Sequence, residues 1–284
     1  MKLLLIRTGF YAVDLSVRLY ARFAYRTVTA ISKEPGGLVR IDFDNSKLPG
    51  LQNYTYGQFV RVCFPTLNSF EWHPFTICGP RTSGFTTILL NPAITAGSGK
   101  SRQNDWSSAM CRKVTVGTPI SIDGAFGTGL SFEPNDMDVV VCLVGGSGIS
   151  LGLSVAQCVT SKATRVIILW SVRSDDHTQF LSCLHDLPDN TAVVVYYTSS
   201  NLALVDDTEA SYGEKANKIR PGKMIGRIPF LDELKAIDIG QGRNMGVVIC
   251  GPPGFTTAAN DACCEFSSST DNSKVSISSE SFSL

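Results

Sequence analysis

Three histidines are few for a chain of 284 residues, and the nine cysteines include no pair at CxxC spacing. The sequence therefore offers no zinc-ligand pattern, and no metal site is assigned. Several cysteines lie in apolar runs such as VVVCLV and VVIC, where they read as buried free thiols of a reducing compartment. Charge of one sign is missing too: 25 basic residues balance 25 acidic ones and no long basic run occurs. That excludes an electrostatic footprint for nucleic acid. No apolar stretch approaches the ~20 residues that a membrane span requires. In the opening MKLLLIRTGFYAVDLSVRLYARFAYR, the apolar run is broken by Arg7, Asp14, Arg18 and Arg22. Internal repeats are absent, and only the Ser-rich tail around 267–281 is compositionally biased.

What is present is a globular composition, 43% hydrophobic and 18% charged, on a length that exceeds one ordinary hydrophobic core. Two domains are expected. Residues 1–27 fit an amphipathic linker helix with Arg18, Arg22 and Arg26 at i, i+4 spacing. That basic row suits either a solvated face or a segment lying on an anionic membrane surface. Residues 28–133 carry short alternating runs (TVTAIS, LVRIDFD, FVRVCFP, TTILL, PISIDG) between Gly, Pro and Asn clusters, the pattern of a small antiparallel barrel. From 137 to 284 the runs lengthen into DVVVCLVGG, RVIILWSV, TAVVVYYTS and MGVVICG, alternating with helical segments, as buried strands of a parallel sheet do. The boundary falls at Pro134, Asn135 and Asp136.

Within the second half, DVVVCLVGGSGISLG runs from a strand through Gly145, Gly146 and Gly148 into a helix starting near Ser150. Such a loop lets backbone amides approach a pyrophosphate while the positive helix end faces it. It is GGSGIS and not GxGxxG, and a plain tight turn would read the same way. At the end of the next strand stand Ser171 and Arg173, and an arginine there can pair with a 2′-phosphate, favouring NADPH. Asp175 and Asp176 could instead accept from a ribose hydroxyl. CGPPGF at 250–255 makes another sharp turn, with Cys250 either a small neighbour for a nicotinamide ring or one more buried thiol. The segment ITAGSGKS, 94–101, ends like a P-loop but lacks its first glycine and lies in the antiparallel half. Nucleotide hydrolysis is not expected from it.

HPFT at 73–76, DGAFGTG at 123–129, VGGSGIS at 144–150, WSVR at 170–173 and CGPPGF at 250–255 occur together in this order. The set resembles the ferredoxin-reductase superfamily, and more closely the cytosolic dehydrogenase portion of ferric reductases and NADPH oxidases. The resemblance implies an antiparallel FAD-binding β-barrel followed by a Rossmann-like parallel sheet that binds NADPH. It implies that His73, Pro74, Phe75 and Thr76 run along FAD, with the Thr76 hydroxyl near the flavin N5, Phe75 against the ring or ribityl chain, and His73 towards the phosphates. A hydroxyl suits that atom because it can donate and accept. By the same resemblance Gly145, Gly146, Gly148, Ile149 and Ser150 form the nucleotide pyrophosphate loop, and Ser171 with Arg173 the adenosine phosphate pocket. Arg227 faces the nucleotide, and Cys250, Gly251 and Pro252 align the nicotinamide. Phe282 would cover the flavin and yield to the nicotinamide.

The chain departs from that family at the FAD pyrophosphate segment, where NPAITAGSGKSRQNDW leaves Gly97, Ser98 and Lys100 to supply amides, a hydroxyl and a charge, and at Ala125, where relatives usually carry proline. It also lacks the family's membrane helices and their haem-binding histidines. The expected activity is transfer of a hydride from NADPH to FAD and of single electrons onward, at the cytoplasmic face of a membrane. The acceptor would be a ferric chelate or another one-electron acceptor, reached directly or through a haem-bearing membrane domain or subunit. Two alternatives stand beside it: a freestanding reductase of the cytochrome b5 reductase kind, and an inactive nucleotide-binding fragment.

Overall fold

The computed structural model describes residues 9–16, 25–33, 39–46, 49–79, 84–90, 106–172, 187–198, 223–237, 243–269 and 274–281. Six strands make the first sheet: β1 (Tyr25–Lys33), β2 (Val39–Asp44), β3 (Phe59–Cys63), β4 (His73–Thr76), β5 (Phe85–Leu90) and β6 (Pro119–Phe126), in the order β4-β3-β6-β1-β2-β5, with the single helical turn α2 (Pro49–Gln52) between β2 and β3. Every pairing is antiparallel. The two ends of that order meet where Ile77, just past β4, bridges Ile88 of β5, and Cys78 N donates to Thr87 O at 3.0 Å. The sheet thus closes into a barrel, which removes its open edges. Alternation in β2 shows why: Val39, Ile41 and Phe43 point inward, while Arg40 and Asp42 pair with each other outside at 3.1 Å.

The second sheet is parallel throughout, in the order β10-β9-β8-β7-β11-β12. Its strands are β7 (Val139–Gly145), β8 (Arg165–Val172), β9 (Thr191–Tyr197), β10 (Lys223–Ile225), β11 (Asn244–Gly251) and β12 (Lys274–Ser281). All seven residues of β7 are buried, because both faces of the sheet are covered. Val140, Cys142 and Val144 pack with α4 (Ile149–Cys158) and are continuous with the barrel core. On the other face Val139, Val141 and Leu143 meet Leu234 of α5 (Phe230–Ala236) and Ala259, Cys263 and Phe266 of α6 (Pro253–Ser269). Burying each such valine or leucine contributes roughly 1.5–3 kcal/mol, which is the reason these runs are apolar on both sides.

The fold class read from the sequence is borne out. The N-terminal segment differs from its expectation: residues 9–16 are helical (α1), but Tyr25, Arg26 and Thr27 are strand, paired with Ser121, Ile120 and Pro119 of β6. Arg26 therefore does not extend a helical row with Arg18 and Arg22, which lie outside the described residues. Barrel closure supplies those three residues with cross-strand hydrogen bonds, and this outweighs local helix propensity. Among the described residues no helix is long and apolar enough to cross a membrane.

Candidate functional site

A cleft of about 450 Å³ lies where the barrel meets β12, lined by Gly57, Phe59, Pro74, Phe75, Thr76, the turn Gly127 to Gly129, and Glu280. Strand pairing sets its barrel wall, since Phe59 stands opposite Thr76 in the ladder of β3 and β4. Gly129 has φ +76, and a Cβ there would come within 2.7 Å of the Thr55 hydroxyl, so this end of the turn requires a glycine. The Thr76 side chain is buried in the wall. From the opposite sheet Glu280 reaches across, its Oε1 lying 3.5 Å from where a Cβ on Gly57 would be.

Parallel pairing places Glu280 beside Cys250 of β11. Burial pushes the Glu280 carboxyl above the usual carboxylate range. Burial, and then the neighbouring Glu280 charge, pushes the Cys250 thiol far above its ordinary value. Cys250 is thus a neutral thiol and not a thiolate nucleophile, while burial favours the protonated form of Glu280 more than it would be favoured in water.

The other face of the HPFT strand is committed to an aromatic stack. His73 lies 4.0 Å from Trp106, centroid to centroid, and Phe75 6.0 Å from it. His73 Nε2 is also 3.1 Å from Glu71 Oε1. Trp106 begins α3 (Trp106–Lys113), so the stack brings His73 next to the start of that helix. The Trp106 indole N–H is buried and has no partner among the described residues. Gly97, Ser98 and Lys100 precede α3 but lie outside the described residues.

The glycine loop leaves β7 as a single 3₁₀ turn, Gly146–Gly148, and enters α4 at Ile149. Gly146 takes φ +55, its carbonyl accepts from Trp170 Nε1 at 2.9 Å, and Ser150 Oγ donates to Ser147 O at 3.0 Å. Gly148 is pressed against the CGPPG turn: a Cβ on it would meet Cys250 O at 2.5 Å and Cys250 Sγ at 2.9 Å. A Cβ on Gly145 would likewise touch Pro252 at 3.3 Å. Gly145 to Ser150 and Cys250 to Pro252 therefore form one surface, with the α4 N-terminus at its centre. Ser171 stands beside Gly145 in the ladder, at the strands' C-terminal rim. Arg227 follows β10 on the same rim and is exposed. Arg173 and Phe282 lie outside the described residues.

Sequence reasoning missed Glu280 and Trp106. The signal for Glu280 was a single carboxylate in SISSES, on a strand ending at the same rim as CGPPG.

Residues 23–129 match a family model described as an FAD-binding domain. Over 282 residues the chain is 25% identical to dual oxidase 2 of Rattus norvegicus, covering 89% of this chain and 18% of that protein. Over 150 residues it is 27% identical to NADPH oxidase 3 of Homo sapiens, covering 49% of this chain and 24% of that one. The chain thus spans less than a fifth of the dual oxidase it matches. Among solved structures, a ferredoxin NADP+ reductase from Neisseria gonorrhoeae with bound FAD and NADP superposes at a TM-score of 0.60 and 17% identity, covering 91% of this chain and 98% of that one. The flavohem-like FAD/NAD-binding domain of nitric oxide dioxygenase from Vibrio cholerae does so at 0.64 and 13%, with coverage of 91% and 98%.

Barrel, parallel sheet and shared cleft make this a protein of the ferredoxin-reductase fold. Within it residues 23–129 match an FAD-binding domain model, and the relatives bear out the resemblance to the dehydrogenase portion of ferric reductases and NADPH oxidases. The residues present fit a flavin: a cleft walled by Phe59, Pro74, Phe75 and the buried Thr76, and by the aromatic stack a buried indole N–H with no partner among the described residues.

Proposed function

We propose that the chain is the catalytic portion of an NADPH-dependent reductase, taking a hydride from NADPH and releasing single electrons to an acceptor, as the cytosolic part of a ferric-chelate reductase does. The observation that carries this reading is the meeting of Thr76, Glu280 and Cys250 where the FAD-binding barrel joins the glycine loop of the parallel sheet. When bound, FAD supplies the chemistry that accepts two electrons as a hydride and gives them up singly. The chain's own residues orient and exclude water. Pro74, Phe75 and Thr76 would hold the ring, while His73 and the start of α3 would stand by the phosphates. The Gly145 to Ser150 loop, Ser171, Arg173 and Arg227 would hold NADPH, and Cys250, Gly251 and Pro252 would set the nicotinamide against the cleft. Phe282 would cover the ring until the nicotinamide arrives. Glu280, whose carboxyl burial shifts towards the protonated form, would line the cleft with the Thr76 hydroxyl, a group able to donate or accept. Most of the rate would come from orientation, since the reacting atoms must approach to about 3–3.5 Å.

A ferric chelate is the acceptor we assign, with iron uptake at the cytoplasmic face of a membrane as the setting and a haem-bearing domain or subunit as the intermediary. Oxygen is the second reading, favoured by the similarity to dual oxidases and NADPH oxidase 3. The test is a visible spectrum of the purified chain with FAD, recorded anaerobically before and after NADPH and repeated with NADH. Bleaching by NADPH is expected, faster than by NADH. Admitting ferric citrate or oxygen to the bleached protein then ranks the acceptors. Absence of a flavin band, with FAD supplied, contradicts the reading and leaves a nucleotide-binding fragment.

A further inference from the structure

One buried polar cluster outside the cleft joins the two sheets. Tyr56, 5% exposed in the turn before β3, donates its hydroxyl to the carbonyl of Cys158 at 3.2 Å and accepts from Asn135 Nδ2 at 2.6 Å. Cys158 is the last residue of α4, and its carbonyl is one of the four that a helix leaves without an internal partner. Asn135, in the 3₁₀ turn between the sheets, commits its whole side-chain amide. The second Nδ2 proton goes to Glu133 Oε1 at 2.9 Å, and Oδ1 accepts from the amides of Thr160 and Ser161 at 2.9 and 3.1 Å. Those two amides belong to the chain leaving α4. With both donors and the acceptor used, the amide has a single satisfactory orientation. Burial, followed by the Glu133 charge, pushes the Tyr56 phenol up to about 12, so it remains a donor at neutral pH.

The helix so anchored begins at the Gly146–Gly148 loop. Ten residues make a rod of about 15 Å, short and stiff enough that holding one end holds the other. Its flank also faces the barrel, since a Cβ on Gly57 would meet Leu151 at 3.3 Å. Apolar packing alone would seal this interface without fixing an angle, whereas buried hydrogen bonds specify distance and direction. We propose that Tyr56 and Asn135 are positioning residues: they clamp the end of α4 to the barrel and thereby set where the nucleotide loop stands relative to the flavin cleft. Neither residue lines that cleft. The proposal rests on the hydride-transfer reading above.

The test uses FAD-loaded full chain as wild type, Tyr56→Phe, Asn135→Ala and the double variant. Hydrogen exchange reports the clamp independently of activity, and anaerobic bleaching by NADPH reports its consequence. Expected in Tyr56→Phe are faster exchange at the Thr160 and Ser161 amides, unchanged flavin content, and bleaching slowed about tenfold, the scale of a sub-ångström misplacement. The double variant should be no slower than Asn135→Ala, because the two residues act through one link. Faster exchange with unchanged bleaching overturns the positioning role, and unchanged exchange overturns the clamp itself. Slowing that tracks loss of bound flavin overturns it as well, by assigning the effect to barrel stability. Should Asn135→Ala fail to fold, Tyr56→Phe decides alone, since it removes one oxygen and keeps the ring. A wild type that is not bleached refutes the hydride-transfer reading, and the clamp then has no reaction to position; normal bleaching with the variant outcomes above isolates the clamp.

Discussion

Gly148→Ala tests how closely the two nucleotide segments must meet. The new Cβ would lie 2.5 Å from Cys250 O, where ordinary contact begins at 3.4 Å, so the 3₁₀ turn and the CGPPG turn must separate by the difference, 0.9 Å. The obstructing atom is a backbone carbonyl in a fully paired central strand, and it cannot swing aside. Overpacking of this kind costs ~1–3 kcal/mol of stability. A displacement near 1 Å between the groups holding the nicotinamide and those holding the flavin costs up to about 100-fold in rate. The assay is stopped-flow bleaching of the FAD-loaded variant by NADPH, with thermal unfolding and flavin content measured in parallel. Expected is a fall of about tenfold or more in the bleaching rate with flavin retained, since the barrel is untouched. Adding Cys250→Ala removes the sulfur at 2.9 Å but leaves the carbonyl, so the double variant should not recover. Bleaching at the wild-type rate in Gly148→Ala, or full recovery in the double variant, would refute this reasoning.

Three further outcomes are expected. Thr76→Val keeps the shape of the cleft wall and removes its hydroxyl, so bleaching should slow by about tenfold or more while bound flavin is retained, as absorbance of the desalted protein would show. For Glu280, burial raises the folded-state pKa, so the folded protein holds a proton that the unfolded chain releases. That stabilisation is present in acid and is lost as pH rises from the usual carboxylate range through the raised value. Thermal unfolding over a pH series should therefore show Glu280→Gln gaining on wild type as pH rises through that window, and a constant difference would be contrary. Ser131 ties the connection between the sheets to β12, its Oγ donating to Ile277 O at 2.9 Å and its N–H to Ser278 Oγ at 3.3 Å. Ser131→Ala removes the first of these and should lower urea stability by ~1 kcal/mol, with the slope against denaturant unchanged.

Much of the fold was legible because burial dictates pattern. The run VVVCLVG has no polar position since β7 is covered on both faces, and LVRIDFD alternates since β2 has one face in the barrel core. The segment around Arg26 was not legible, because its state is decided by pairing with β6, far along the chain. At the site, GGSGIS and CGPPG announced themselves through glycines, and the structure gives the reason at Gly148, where no side chain fits. Glu280 was missed because one carboxylate in a serine-rich strand carries no local signature; only pairing with Cys250 and burial against the barrel give it chemical character. Trp106 was missed for a similar cause, since stacking on His73 joins residues 33 positions apart.

The claim that matters most is that a hydride passes within this cleft. It is tested most directly by stopped-flow bleaching of the FAD-loaded chain under anaerobic conditions, comparing NADPH with NADPH deuterated at the transferred position. Bleaching that is slower with the deuterated nucleotide is the predicted result. A flavin that binds but is bleached by neither nucleotide would contradict the account.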